Sequence, residues 1–583
     1  MITRIIGIDF GTSTSVVKVF NDGDTDTIYT LSVGNGMQEI PTLIFERKVD
    51  GKLFIADKAL SQLIQATEGT IHKNFKLGLI SNNDEEKNKA IEYTTLFFKY
   101  LKEKYDEQCR IGAFGNCDAT KVYISYPAKW PSFVRLTMLE CAIKAGFGTS
   151  DNVFGLDEPT AAAVASFHEA EEELRRSGLF FADVTYKAMM VDMGAGTTDI
   201  VLFEYRIENG SLHINNPVTY PTAESTRLCG GREIDDILSD FCINYSRSIP
   251  ANGNVPQGLL DKCHTEIKPW KEAIVSEGLK NNIEIQCPGF ITQQINLMRQ
   301  FGLPINPNLR SFRMNRLTFE SISQLHWENW RNMIAEAFEE GKKFGYESPE
   351  DINVIILTGG HSQWYCVKDF FLGTPFANIE VILFDNIRKY PASLIQSKKP
   401  SQTVATGLCL KDKAIVAATP LANSFWIQFE YEDKKSEIIK IADKGHHLPF
   451  HTAMETVKDS IKGHFLYRRS FDIKCVVYEG TSVKTAKKHI QSVQSPDDNA
   501  WTVFIKAILF SVIGNIWVVI EILKDLKDIF KGEFNIEKYA EILDANYPIE
   551  LGSTVDIAED GIATVAPCIK VDGNEVKMPP FKI

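Results

Sequence analysis

Two short runs join an aspartate to a turn rich in glycine and hydroxyls: Asp9-Phe10-Gly11-Thr12-Ser13 and, far downstream, Asp192-Met193-Gly194-Ala195-Gly196-Thr197. Glycine lets backbone N–H groups approach an anion closely, and Thr and Ser add hydroxyl donors, so phosphate suits such a turn. Each aspartate would repel a phosphate that it touched. The chemistry it fits is to hold Mg2+ through water against a β/γ-phosphate pair, which implies a nucleoside triphosphate. Either turn alone also reads as an ordinary β-hairpin, because Gly, Thr and Asp are common turn residues. Repetition of the same order of Asp, Gly and Thr favours two halves of one phosphate clamp.

Each aspartate ends an apolar run (Arg4 to Ile8; Ala188 to Val191), and a second β-branched run follows each turn (Ser15 to Phe20; Thr198 to Phe203). Both read as strand, tight turn, strand. Through residue 410 strand-like runs alternate with helical ones, as in Lys121 to Tyr126 followed by Ser132 to Ala145, or Val354 to Leu357 followed by Tyr365 to Leu372. That rhythm predicts an α/β domain over 1–410, and the two hairpins within it predict a duplicated domain whose halves close on a cleft. The rhythm stops at 411–418, read as a linker. From 419 to 583 short alternating runs (Phe425 to Tyr431, Glu437 to Ile441, Phe471 to Tyr478, Thr554 to Ala558, Ile562 to Ala566) predict a mainly β domain, with Glu559-Asp560-Gly561 as a hairpin turn. Helical spacing in Ile520 to Phe530 and Glu533 to Leu543 predicts a helical insertion at about 495–547.

At 583 residues, with 44% hydrophobic and 24% charged side chains, the chain suits a folded protein of several units. A net charge of −13 argues against nucleic acid as partner, since that needs a clustered basic surface. The eleven cysteines are scattered without metal-ligand spacing and read as reduced thiols of a cytoplasmic protein. Met1-Ile2-Thr3 leads straight into a strand, so no signal peptide is expected. The apolar stretch within Ala500 to Leu523 contains Ser511, Gly514 and Asn515, and its uninterrupted part is shorter than the roughly 20 residues of a bilayer span. A buried strand pair or core helix is the favoured reading over membrane contact.

Five motifs in order resemble the nucleotide-binding domain of the seventy-kilodalton heat-shock chaperone family, within the actin-like (ribonuclease-H-like) ATPase superfamily. They are the two hairpins, Leu156-Asp157-Glu158-Pro159-Thr160, Cys229-Gly230-Gly231-Arg232-Glu233-Ile234-Asp235 and Ile355-Ile356-Leu357-Thr358-Gly359-Gly360-His361-Ser362. The wording of Tyr126-Pro127-Ala128-Lys129-Trp130 and of the Thr137 to Phe147 helix is closer to the divergent twelve-type relatives. The resemblance implies a two-lobed ATPase with ATP or ADP and Mg2+ as cofactors. It implies Asp9 and Asp192 as metal-positioning residues, and Gly11, Thr12, Ser13, Gly194, Ala195, Gly196 and Thr197 as the phosphate cradle. Lys76 then faces the γ-phosphate, Glu158 orders water and metal, Asp199 supports the attacking water or the metal's water shell, and Thr197 joins the catalytic set. Cation placement at a transferring phosphoryl group is a large catalytic lever. Gly230 and Gly231 match a ribose-phosphate loop, Lys271 borders the adenine, and Gly359, Gly360 and His361 form the adenosine turn.

The departures matter as much. Ala195 replaces a glycine, which is tolerable only where the backbone does not need positive φ. His361 and Gln363 replace Ser and Arg of the adenosine loop, and Lys399-Pro400-Ser401 lacks the usual acid. The β region resembles the family's peptide-binding sandwich, which implies a polypeptide client or a dedicated protein partner and a co-chaperone or exchange factor. The helical lid and the acidic, leucine-rich linker of the family have no counterpart. The expected function is a slow Mg2+-dependent ATPase switch controlling what the β domain binds. The alternative is a nucleotide-sensing adaptor with vestigial hydrolysis, and a small-molecule kinase on the same duplicated fold ranks last.

Overall fold

Hydrophobic alternation written twice becomes two sheets of the same strand order. The computed structural model describes residues 1–208, 211–220, 229–255, 283–416, 421, 423–431, 434–443, 450–452, 454–462, 474–480, 482–484, 486–492, 546–558, 562–571 and 574–583, except Thr25, Ala66 and Lys129, and also Leu260, Cys263, Ile267, Trp270 and Lys271. The chain divides into two units, 1–128 with 141–417, and 129–140 with 418–583.

In the first unit the central strand Thr3–Asp9 pairs antiparallel with Thr14–Asp22, which carries Ile28–Thr30, and parallel with Ala119–Tyr126, which carries Val153–Asp157. The second sheet repeats this about Tyr186–Met193. Thr198–Glu208 and Ser211–Tyr220 lie antiparallel on one side, and Val354–Thr358 and Leu394–Gln396 parallel on the other. The segment read as a linker is a 3-10 turn at Lys411–Lys413 followed by strand Ala414–Val416, which adds to the second sheet beside Ser211–Tyr220.

One core is shared by both sheets and by two helices, Glu158–Arg176 and Thr403–Leu410, through Ile5, Phe20, Phe167, Met190, Phe203 and Leu408. The helices meet almost backbone to backbone. A Cβ on Gly407 would lie 1.7 Å from the Ala161 carbonyl oxygen, and one on Gly7 would lie 2.6 Å from that of Ala405. A second core covers the other face of the second sheet, where helices Gly231–Ser248, Gly289–Gln300, Arg316–Gly341 and Tyr365–Phe371 bury Trp327, Trp330 and Trp364.

The second unit contains two antiparallel sheets. In one, Ser424–Tyr431 pairs with Lys434–Lys435, Ile439–Ala442 and Lys474–Gly480, and the last of these with Lys487–Ser492. In the other, Asn546–Ile557 pairs with Phe450–His451, Glu455–Lys462 and Ala563–Val571. Within the same unit the buried Glu479 carboxylate accepts from the Ser132 N–H (2.8 and 3.1 Å), the Ser132 hydroxyl (2.8 Å) and Asn423 (3.2 Å), and so caps the helix that starts at Ser132. The Glu559-Asp560-Gly561 turn, the apolar stretch and the insertion up to 545 lie outside the described residues, and the last two residues assigned to the insertion begin the strand Asn546–Ile557. Among the described residues no disulfide forms, and no helix is long and apolar enough to cross a membrane.

Candidate phosphate and metal site

Asp9 ends the central strand of the first sheet, paired with Val16. The Ser125 hydroxyl accepts from the Phe10 N–H (3.2 Å) and donates to Asp9 Oδ1 (2.9 Å), which fixes the carboxylate and the start of the turn together. A Cβ on Gly11 would lie 2.0 Å from the Thr14 carbonyl oxygen, so the tight turn needs glycine there. Ser13 accepts from the Thr42 N–H through its carbonyl (2.9 Å), which leaves its side chain exposed beside the half-buried Thr12.

Asp192 occupies the equivalent place in the second sheet, directly across from Asp199. Gly194 N–H donates to Thr197 O (2.9 Å) and closes the turn, and the Thr197 hydroxyl stands 3.4 Å from Asp199 Oδ2. The helix beginning at Gly231 docks onto this turn: Gly231 and Arg232 N–H groups donate to the carbonyls of Gly194 (3.0 Å) and Ala195 (2.7 Å). Gly230 allows the approach, since a Cβ there would meet Gly196 C at 2.4 Å. Ala195 stays outside the left-handed region, which is the condition under which its methyl is tolerated. A Cβ on Gly196 or Gly360 would meet nothing within 4 Å, so these glycines border open space.

Lys76 lies on the single helical turn Phe75–Gly78, set by Asn74 in the left-handed conformation. It is 3% exposed, and its Nζ donates to Glu158 Oε1 at 2.6 Å. Glu158 begins its helix, capped by Asp157, which accepts from the Thr160 N–H at 2.8 Å. Burial raises the Asp9 carboxyl to about 7, with the Glu158 charge adding to the rise and Lys76 and Ser125 opposing it. Burial also lifts Asp192 well above the carboxylate range, reinforced by Glu158, Asp199 and Asp9 and opposed by Lys76. Glu158 thus contacts the Lys76 ammonium, Asp9 and Asp192 feel its charge, and Asp199 adds a further carboxylate beside Asp192. Such an excess of negative charge around buried oxygens fits a divalent cation.

The Thr358-Gly359 strand end runs parallel to Asp192. Gly359 has φ +77°, and a Cβ there would lie 2.6 Å from Asp192 Oδ1, so only glycine gives this turn its closeness to the carboxylate. Lys271 donates to Gly231 O (3.2 Å) and pairs with Asp235 (2.6 Å). A Cβ on Gly231 would lie 3.2 Å from His361 Nδ1 and 3.4 Å from Lys271 Nζ, which brings these three predicted residues together. His361 is 5% exposed and turned inward. Its Nδ1 accepts from Trp364 Nε1–H (2.8 Å), and its Nε2 lies 3.3 Å from His326 Nε2. Sequence reasoning missed Ser125, Thr358, His326 and Trp364. For Ser125 a signal existed, because in-register extension of the parallel pair Ile8 with Ile124 sets it beside Asp9.

No family profile matches the chain. Curated proteins named chaperone protein DnaK do: that of Endomicrobium trichonymphae is 26% identical over 373 residues, 63% of this chain and 53% of its own. The Thermotoga neapolitana protein is 26% identical over 375 residues (63% and 54%), and the Metamycoplasma hominis protein 25% over 376 (62% and 53%). The chain spans about half the length of the curated relatives it matches. With hairpins, glycine turns and charges arranged as described, the chain is similar over 62–63% of its length to proteins named chaperone protein DnaK.

Proposed function

We propose that this protein is a Mg2+-dependent, slowly hydrolysing ATPase switch on a duplicated actin-like domain, and that its nucleotide state controls polypeptide or partner binding by the β domain of 419–583. The observation that carries the reading is the gathering of Asp9, Glu158 and Lys76 with Asp192, which also has Asp199 beside it, next to two glycine turns. Asp9 and Asp192 would hold Mg2+ through water, and the ion supplies charge neutralisation at the β/γ-phosphates. Gly11 to Ser13 and Gly194 to Thr197 cradle the phosphates. Lys76 neutralises charge at the transferring phosphoryl group, and Glu158 holds its ammonium in place. Asp199, within reach of Thr197, orients the attacking water. Gly230, Gly231, Lys271, Gly359, Gly360 and His361 form the nucleoside side.

ATP turnover by the full chain tests this reading, against Lys76→Ala and Asp192→Ala. Wild-type turnover no higher than either variant, at ATP concentrations that saturate binding, would sink the enzyme claim. The adaptor reading draws on Ser401, whose hydroxyl donates to Glu39 at 2.5 Å where the family carries an acid. A panel of apolar peptides separates the two: a chaperone binds several with ATP-sensitive affinity, an adaptor none.

A further inference from the structure

Behind the Gly230-Gly231 turn stands a row of side chains of which the nucleotide reading gives a task to His361 alone. Trp364 precedes the helix Tyr365–Phe371, His361 lies in the 3-10 turn Gly360–Gln363, His326 sits within Arg316–Gly341, and Glu233 occupies the first turn of Gly231–Ser248. Three are buried, and Glu233 is the half-exposed end. The rings are wedged among aromatics: His361 lies parallel to Trp327 (6°, centroids 5.8 Å), and His326 meets Trp327 edge-on at 4.8 Å.

The polarity of this row follows from one residue that can only donate. An indole N–H has no acceptor role, so His361 Nδ1, 2.8 Å from Trp364 Nε1, presents a lone pair. Burial, with His326 and Lys271 adding to the effect, holds the His361 imidazole neutral, which leaves its single proton on Nε2. That N–H faces His326 Nε2 at 3.3 Å, which therefore accepts. The proton of His326 is then on Nδ1, where it donates to Glu233 Oε2 at 2.8 Å.

The same polarity disposes of another reading. Cys229 Sγ, a Glu233 oxygen and a His326 nitrogen lie within 4.8 Å of one another, a donor set that would suit a transition-metal ion. Ligation needs a free lone pair on His326, and the row protonates Nδ1 and uses the Nε2 lone pair to accept from His361. The Cys229 thiol points to the His326 carbonyl at 3.4 Å.

The geometry points to a proton-ordered relay, Trp364 to His361 to His326 to Glu233, in which the two histidines are positioning residues: they clamp the N-terminus of the Gly231–Ser248 helix and so fix Gly231 and Lys271 as the nucleoside wall. The positioning half rests on the nucleotide reading, and the proton order does not. Anchoring Glu233 fixes the helix start, whose Gly231 carbonyl accepts from Lys271 and whose Cα abuts His361.

Two measurements on the full chain test it. Two-bond proton–nitrogen correlation on protein labelled with 15N-histidine should show His326 as the Nδ1–H tautomer and His361 as the Nε2–H tautomer at neutral pH. Adenosine, which carries no phosphate and so bypasses the aspartates, should bind about three- to tenfold more weakly to Glu233→Ala, the range of one lost hydrogen bond, and normally to Glu233→Gln, which still accepts. A proton on His326 Nε2, or one zinc per chain lost in Cys229→Ser, overturns the relay. Failure of the Gln variant to rescue overturns the positioning role. Expected tautomers with no adenosine binding by the wild type overturn the nucleotide reading and leave the proton order standing.

Discussion

The two hairpins of the first unit occupy equivalent places in two sheets of the same order, yet their aspartates are held differently. Asp9 has a protein donor, the Ser125 hydroxyl at 2.9 Å. Its counterpart for Asp192 is Thr358, paired with it across the parallel strands, and the Thr358 hydroxyl is buried with no hydrogen-bond partner. One half of the clamp is complete in the protein alone; the other carries an unsatisfied donor beside a carboxylate crowded by Glu158, Asp199 and Asp9. The difference teaches that the two aspartates are asymmetric: the first is fixed by a protein donor, and on the proposed reading the second would depend on what binds.

This contrast sets an order of effects. Asp192→Asn should lower ATP turnover most, by about 100-fold or more, because it removes charge where no protein donor compensates. Asp9→Asn should cost less, since an asparagine oxygen still accepts from Ser125. Equal losses, measured in parallel steady-state assays, would break the asymmetry. Next comes pH. With the Asp9 carboxyl raised to about 7, the ion must displace a proton, so Mg2+-nucleotide affinity should fall by about tenfold per unit below pH 7 and level off above it. Titration calorimetry in buffers of different ionisation heat would register the released proton, and Asp9→Asn should abolish that component.

Smaller effects concern the protein without ligand. Asp9 binds its proton more tightly in the folded state than in the unfolded chain, so it lowers stability as pH rises from about 4 through about 7, and fully above that. Asp9→Asn should therefore stabilise the metal-free protein by about 1–2 kcal/mol at pH 8 and by nothing near pH 4, read by denaturant midpoint. Ser125→Ala should cost about 1–3 kcal/mol by stranding the Phe10 N–H, whereas Thr358→Val should be neutral or stabilising by up to about 1 kcal/mol. Comparable destabilisation by the two would show that Thr358 already has a role in the empty site.

The hairpins were legible because their information is local: apolar alternation, an aspartate and a small-residue turn lie within a dozen positions, and the strands formed where that pattern placed them. Thr198–Glu208 runs longer than its β-branched stretch because Ser211–Tyr220 pairs with it along most of its length. The short run Ala414–Val416 reads as part of a linker because three residues have too little pattern to announce a strand, and only a partner strand far upstream makes it one. Lys76 and Glu158 came from motif context, and the structure adds their direct contact. The Trp364–His361–His326–Glu233 row was invisible as a row: its members come from separate helices and turns, and although His361 and Glu233 lie in motifs, nothing local links them to His326 or Trp364.

Gly7 and Gly407 give the site something like a spacer block. Asp9 is carried by the strand of Gly7, which touches the helix of Ala405 and Gly407, which in turn touches the helix headed by Glu158, and at both crossings the contact includes main-chain carbonyl oxygen with no side chain from the glycine between. The distance between the two acids is therefore gauged by peptide thickness, which hardly varies from one sequence to another, rather than by packed side chains, which do. Exchange of core side chains elsewhere would therefore leave the two acids where they are.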